Sequence, residues 1–349
     1  MGRLKELDTA RGALMLYIVT VIHGGFWLHL LPKSVMSLLL FEMPLIFLVS
    51  GYAFGVQSSR IDHAWTGVKY WSYLKSRLVR VLLPYFAYAF FCACLVYGLA
   101  DSSSYSPSFM LLLTAWMNPF VGGDVHSVGM LNWHLWFLPV FLVIVVVLPF
   151  AAVLSTRVKV GPLASILALA VLLYAIKDMR VWGGDLLRQC LVFLAFAVAG
   201  FRLASSEQRP STATLGLVVF VCTAVLIATA WHAHDLHAIS LQRNKFPPNY
   251  LYFLGECIWV AVFLYLSQRF MQFPYATKLL SRLADQVWFR PFVAYGYSIY
   301  LWQGLAYTMA AELARRYHLP NLLVCGVAVI LAVIFGKWAS PLERIKLAA

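Results

Sequence analysis

The feature that most constrains this chain is the recurrence, almost from end to end, of uninterrupted apolar stretches about 20 residues long, the length a helix needs to cross a bilayer core. Such stretches run near 12–32, 35–56, 79–100, 130–154, 160–177, 187–204, 213–233, 250–271, 291–312 and 319–339. They are too long and too continuously apolar for the two-residue alternation of an outer-membrane barrel. Composition excludes a soluble alternative. Of 349 residues, 62% are hydrophobic and 12% charged, with a mean hydropathy of +0.78, against about 45–50% and about 25% in ordinary soluble domains. The expected fold is all-α: a polytopic transmembrane bundle of about ten spans, forming one membrane domain over residues 1–349. A further apolar piece, 107–121, is short and holds Pro107, Asn118 and Pro119. It reads as re-entrant or interfacial. The first apolar run lacks a small-residue cleavage site, so it is expected to stay in the protein rather than act as a removable leader.

The formal net charge is +13, which in a soluble protein would suggest nucleic acid. Here the Lys and Arg residues sort by side, seventeen on the side of the N-terminus against eight on the other. That asymmetry is the positive-inside pattern; it places both termini in the cytoplasm and leaves no need for a nucleic-acid partner. The loop 101–129, with Asp101 and Asp124 but no Lys or Arg, fits the outer side. All six cysteines, Cys92, Cys94, Cys190, Cys222, Cys257 and Cys325, fall within apolar stretches and none forms a CxxC pair. Neither a metal site nor a disulfide framework is expected; the cysteines read as small apolar residues.

Ionisable groups within spans are costly and are functional candidates for that reason. Here they are Arg11, His23, Glu42, His134 and Glu256. His23 lies ten residues before Lys33 and Glu42 nine after it, with Pro32 and Lys33 placed to form a turn. In a symmetric hairpin the two side chains share a depth. A carboxylate accepting one ring N–H would fix the tautomer and leave the other nitrogen as a general base, although a structural hydrogen bond between two helices uses the same geometry. Glu256 has no inferable partner and reads equally as a structural tie or a site residue. In WSYLKSRLVRVLLPY, Lys75, Arg77 and Arg80 precede a long apolar run, and residues 77 and 80 share a helix face. Such a cluster serves as a topology signal with snorkelling side chains or as a mouth that holds a phosphorylated ligand.

Five stretches in order resemble one family of membrane proteins: LDTARG followed by an apolar helix and His23, FEMPLIFLVSGYAFG at 41–55, KSRLVRVLLPY at 75–85, WHLWFLPVFLV at 133–143 and YGYSIYLWQ at 295–303. Together they are similar to the acyltransferase family 3 proteins, bacterial O-acyltransferases that modify sugars and related acceptors. The resemblance implies transfer of an acyl group, most often acetyl from acetyl-CoA, to a carbohydrate hydroxyl, in a multi-pass protein of the bacterial inner membrane. It implies catalysis by His23, with Glu42 as the proposed partner, and donor binding by Arg11, Arg77 and Arg80. His134, Trp136, Glu256 and Tyr300 are candidates to line the acceptor side. Trp133, Tyr295 and Trp302 offer further rings for a sugar, or for an interfacial belt. No permanently bound cofactor is implied: acyl-CoA is the donor substrate, and a carbohydrate or lipid-linked glycan in the bilayer is the acceptor.

Two departures from the family pattern stand out. The family's Arg-to-His gap is ten residues, but eleven separate Arg11 from His23, which sets the two about 120° apart on an ideal helix. Either a π-bulge absorbs the extra residue or Arg11 lies in a loose first turn. The late Tyr-Leu-x-His pattern ends here in Gln303, which receives no proton-transfer role. The rival reading is a transporter or flippase of lipid-linked glycans without acyl chemistry, and a third is a membrane scaffold.

Overall fold

The computed structural model describes residues 5–58, 66–99, 108–122, 129–158, 160–178, 183–205 and 209–345. Among these the regular structure is helical, with no β-strand and one isolated bridge between Lys245 and Pro248. Asp101, Asp124 and Pro107 lie outside the described residues, as do Arg3, Arg60, Lys159, Arg180 and Lys346 from the charge count.

The principal helices are α1 (Lys5–Trp27), α2 (Lys33–Ser58), α3 (Gly67–Leu99), α4 (Phe109–Met117), α5 (Phe137–Arg157), α6 (Pro162–Ala175), α7 (Gly184–Ser205), α8 (Thr212–Ala233), α9 (Tyr250–Phe270), α10 (Ala276–Asp285), α11 (Arg290–Tyr317) and α12 (Asn321–Ala339). Among the described residues eight are long and apolar enough to cross a membrane: α1, α2, α3, α5, α7, α8, α9 and α12 with its short C-terminal extension. These eight fit the expected polytopic bundle of about ten spans; two further expected stretches do not meet both criteria. Helix α6 has 14 residues, which at 1.5 Å per residue gives about 21 Å, short of a core about 30 Å thick. Helix α11 has the length, at 28 residues, but includes Gln303, Glu312, Arg315 and Arg316. The piece around 107–121 becomes the nine-residue α4, whose first turn is capped by Ser108 accepting from the Leu111 amide. It is too short to span.

The chain forms two compact units interleaved in sequence, one of residues 1–10, 31–64 and 146–283, the other of 11–30, 65–145 and 284–349. In the first, α2 packs on α7. Gly51 of the Ser-Gly-Tyr motif faces the Ala197 backbone, and Gly200 faces the Leu48 backbone, leaving no room for a Cβ on either helix. Small residues of this kind let helix backbones approach closely. Phe47 stacks on Phe193 with ring centroids 4.9 Å apart. Also in this unit, α8 and α9 pair, and α6 meets α9.

In the second unit α11 and α12 form the main helix pair. Val19 and Leu28 of the α1 region join Ile299, Ala306, Tyr307, Ala328 and Ala332 in its core. Tyrosine hydroxyls tie the irregular segments to α3: Tyr85 donates to the Trp116 carbonyl at 2.6 Å and Tyr88 to that of Leu131 at 2.7 Å. These residues follow Pro84 within the motif 75–85, so the basic entry and the anchors of the next two segments share one helix.

Candidate active site

Helix α1 is not uniformly α-helical. Ile18–Ile22 form a π-helical turn, and a turn of that width leaves carbonyls without their helical donors. Side chains from two other helices of the same unit meet them: the Tyr307 hydroxyl donates to the Val19 carbonyl at 2.6 Å, and Cys325 Sγ to that of Thr20 at 3.8 Å. The extra residue between Arg11 and His23 is absorbed in this turn. Removing one residue from the angular count brings the two side chains from about 120° to about 20° apart. Of the two explanations open from sequence, the structure contains the π-bulge.

His23 opens the α-helical turn that follows. Its Nδ1 lies 2.7 Å from Oε1 of Gln303 on α11. An amide oxygen can only accept, so Nδ1 donates, and in the neutral ring the lone pair sits on Nε2. One turn along α1, Trp27 stacks on the imidazole, with centroids 4.2 Å apart and planes within 1°. His134 and Tyr300 rings lie 6.5 and 6.2 Å from that of His23.

This second ring of residues is itself fixed by main-chain bonds. His134, fully buried, has Nε2 at 2.9 Å from the Leu301 carbonyl, and the Tyr300 hydroxyl donates to the His134 carbonyl at 2.5 Å. A Cβ at position 304 would fall 2.6 Å from His134 Cε1 and 2.8 Å from the Met130 carbonyl. Only glycine, next to Gln303, lets the His134 segment come this near to α11. Tyr295 interrupts α11 with φ −147° and ψ 39°. Beyond the interruption, the Ser298 amide donates to Glu343 Oε1 at 2.5 Å, an acid at a restarting helix end as the helix dipole favours. The motif YGYSIYLWQ thus comprises a kink, a capped restart, Tyr300 and the partner of His23.

The other sequence candidates distribute as follows. Arg11 is exposed on α1. Arg80 is exposed on α3 and Arg77 half-buried, with the Arg77 guanidinium 5.8 Å from the Tyr73 ring centroid. The two arginines are close enough to repel electrostatically, a repulsion that a bound anion would relieve. Arg80 also interacts with Glu343. Trp136 is half-buried and Trp133 is 67% exposed. Trp302 is buried against Tyr88 and Phe91, at 5.4 and 5.3 Å between centroids, so its ring is already covered.

Glu42 and Glu256 belong to the first unit. Glu42 Oε1 accepts from Lys245 Nζ at 2.8 Å, with side-chain exposures of 3% and 6%. Glu256 is fully buried on α9, within electrostatic reach of Glu42, Lys245 and Tyr252. Within its own unit His23 Nδ1 meets Gln303, and within the other Glu42 meets Lys245. Helix α2 is interrupted at 39–41 and restarts at Glu42. Sequence reasoning missed Gln303, Trp27 and Lys245. Trp27 was within reach of it, since it stands four residues after His23 on one helix face.

A family model described as an acyltransferase domain matches residues 4–338. No curated protein and no solved structure matches the chain.

Proposed function

The chain belongs to the acyltransferase family 3 and is a multi-pass membrane protein, and from that premise we propose that it is an O-acyltransferase of the bacterial inner membrane, carrying an acyl group, acetyl in the first instance, from acyl-CoA to a hydroxyl of a cell-surface or exported glycan. The observation that carries the proposed mechanism is the 2.7 Å contact between His23 Nδ1 and the Gln303 amide oxygen. It supports a proton on Nδ1, and in this reading Nε2 is the base.

In the proposed step Nε2 takes the proton of the acceptor hydroxyl as its oxygen attacks the thioester carbonyl carbon. The new C–O bond forms, the tetrahedral adduct collapses with cleavage of the C–S bond, and the CoA thiolate recovers the proton from the imidazolium. General-base help of this kind contributes about 10²–10⁴-fold in rate. Gln303 holds the Nδ1–H end throughout, and Trp27 fixes the plane of the ring. Arg77 and Arg80 hold the phosphates of CoA at the cytoplasmic end of α3, where guanidinium geometry suits phosphate oxygens. Arg11, turned toward the His23 face by the π-bulge, assists in positioning the donor.

The test is thioester consumption by purified protein supplied with acetyl-CoA and glycan extract, followed by mass spectrometry of the acceptor. Release of free CoA with matching acylation of the glycan is the expected result. Glycan movement across proteoliposomes without thioester consumption would replace this reading with a flippase.

A further inference from the structure

Helix α10 is unlike the spans around it. At 100° per residue, Ala276, Leu280 and Leu283 fall within about 60° of one another, while Lys278, Arg282 and Asp285 occupy the opposite side. The apolar arc is the protein-facing one: Ala276 is buried and Leu280 and Leu283 are half-buried. The α1 end reaches it, with Thr9 Oγ1 bonding the Leu280 carbonyl at 3.3 Å and Lys5 Nζ reaching Ser281 Oγ at 3.4 Å.

What the protein does not cover is chemically mixed. Leu279 is 56% exposed and falls about 60° from Arg282 around the helix. Just before the helix, Phe273 and Tyr275 are 65% and 75% exposed. Lys278 and Arg282 are exposed and have no ion-pair partner among the described residues. The segment follows α9, a span, after only five residues, which places it at a membrane boundary. Two exposed aromatics, an exposed leucine and two unpaired cations one turn apart form a surface with both an apolar and an anionic requirement. A short amphipathic helix of this composition lies in the headgroup region, its apolar side chains at the acyl boundary and its cations among headgroups.

We propose that α10 with Phe273 and Tyr275 is an interfacial anchor that binds anionic phospholipid, the headgroup phosphate being held by Lys278 and Arg282. Both cations are exposed, so their substitution leaves the fold intact.

Native mass spectrometry of the full chain equilibrated with equimolar phosphatidylglycerol and phosphatidylcholine tests this. The wild type is expected to retain phosphatidylglycerol several-fold over phosphatidylcholine. Lys278→Gln with Arg282→Gln is expected to bring the ratio close to one. Arg315→Gln with Arg316→Gln, whose guanidiniums are already bonded to Glu312, should keep the preference. A wild type without preference, or a Lys278/Arg282 variant that keeps it, overturns the proposal. A nitroxide at Leu279→Cys, in a Cys94→Ser background in phosphatidylglycerol nanodiscs, gives an independent reading. Collisions with lipid-dissolved oxygen should exceed those with an aqueous nickel chelate; the reverse order would put this face in water and overturn the anchor.

Discussion

His23 with Gln303 and Glu42 with Lys245 are both polar contacts between residues far apart in sequence, each set among apolar helices, at 2.7 and 2.8 Å. They differ in what remains after the bond is made. Glu42 and Lys245 carry opposite charges and neutralise one another, which is what a low-dielectric interior requires of buried ions. Breaking the pair on one side alone would leave an uncompensated buried charge. Gln303 carries no charge, so its bond to His23 is not an ion pair. In the proposed mechanism the imidazole accepts a proton and returns it. Burial alone does not separate the two contacts; the chemistry of each partner does.

Substitution separates the two cases. His23→Ala should leave the protein inserted and able to bind acyl-CoA while acyl transfer falls by about two orders of magnitude or more, read as CoA release and donor binding on the same preparation. Retention of more than about a tenth of the rate, above that general-base expectation, would remove His23 from the chemistry. Lys245→Met should act the other way. It strands a buried carboxylate at a cost of about 3–5 kcal/mol, seen as a lowered melting temperature in detergent. Adding Glu42→Leu should recover most of the loss, because an apolar replacement of the whole pair removes the stranded charge. If Lys245→Met instead lowers kcat in a protein that melts normally, the ion pair belongs to the reaction.

Smaller effects sharpen the comparison. Gln303→Leu removes one hydrogen bond, worth about 0.5–1.5 kcal/mol, so kcat should fall about two- to thirteen-fold with binding of acyl-CoA unchanged. Arg77→Ala with Arg80→Ala should raise KM for acyl-CoA more than KM for the glycan, as lost ground-state contacts do. An effect confined to the acceptor would assign the basic entry to another ligand.

Much of this architecture was legible in sequence because continuous apolarity over twenty residues admits few structures. The limits were equally physical. Helix α6 was counted as a span because the apolar run 160–177 exceeds the 14 residues that are helical. The π-turn could be posed as one of two alternatives from the Arg11 spacing, but choosing between them needs the Tyr307 bond to the Val19 carbonyl. Lys245 lies 203 residues from Glu42, and no local pattern links them. Gln303 was set aside because the reading sought a titratable residue there. In the proposed mechanism its inability to titrate is the relevant property, since an amide oxygen accepts from Nδ1 without competing for the proton.

The most direct measurement of the central claim is therefore the pH dependence of kcat/KM in Gln303→Glu beside the wild type. A carboxylate bonded to Nδ1–H favours the imidazolium over the neutral ring. The base must be neutral to act, so the acid limb of the profile should move to higher pH in the variant, with the rate on the alkaline plateau largely kept. An acid limb that stays where the wild type has it would show that residue 303 does not set the state of the base, and would contradict the assignment of Nε2 of His23 to that role.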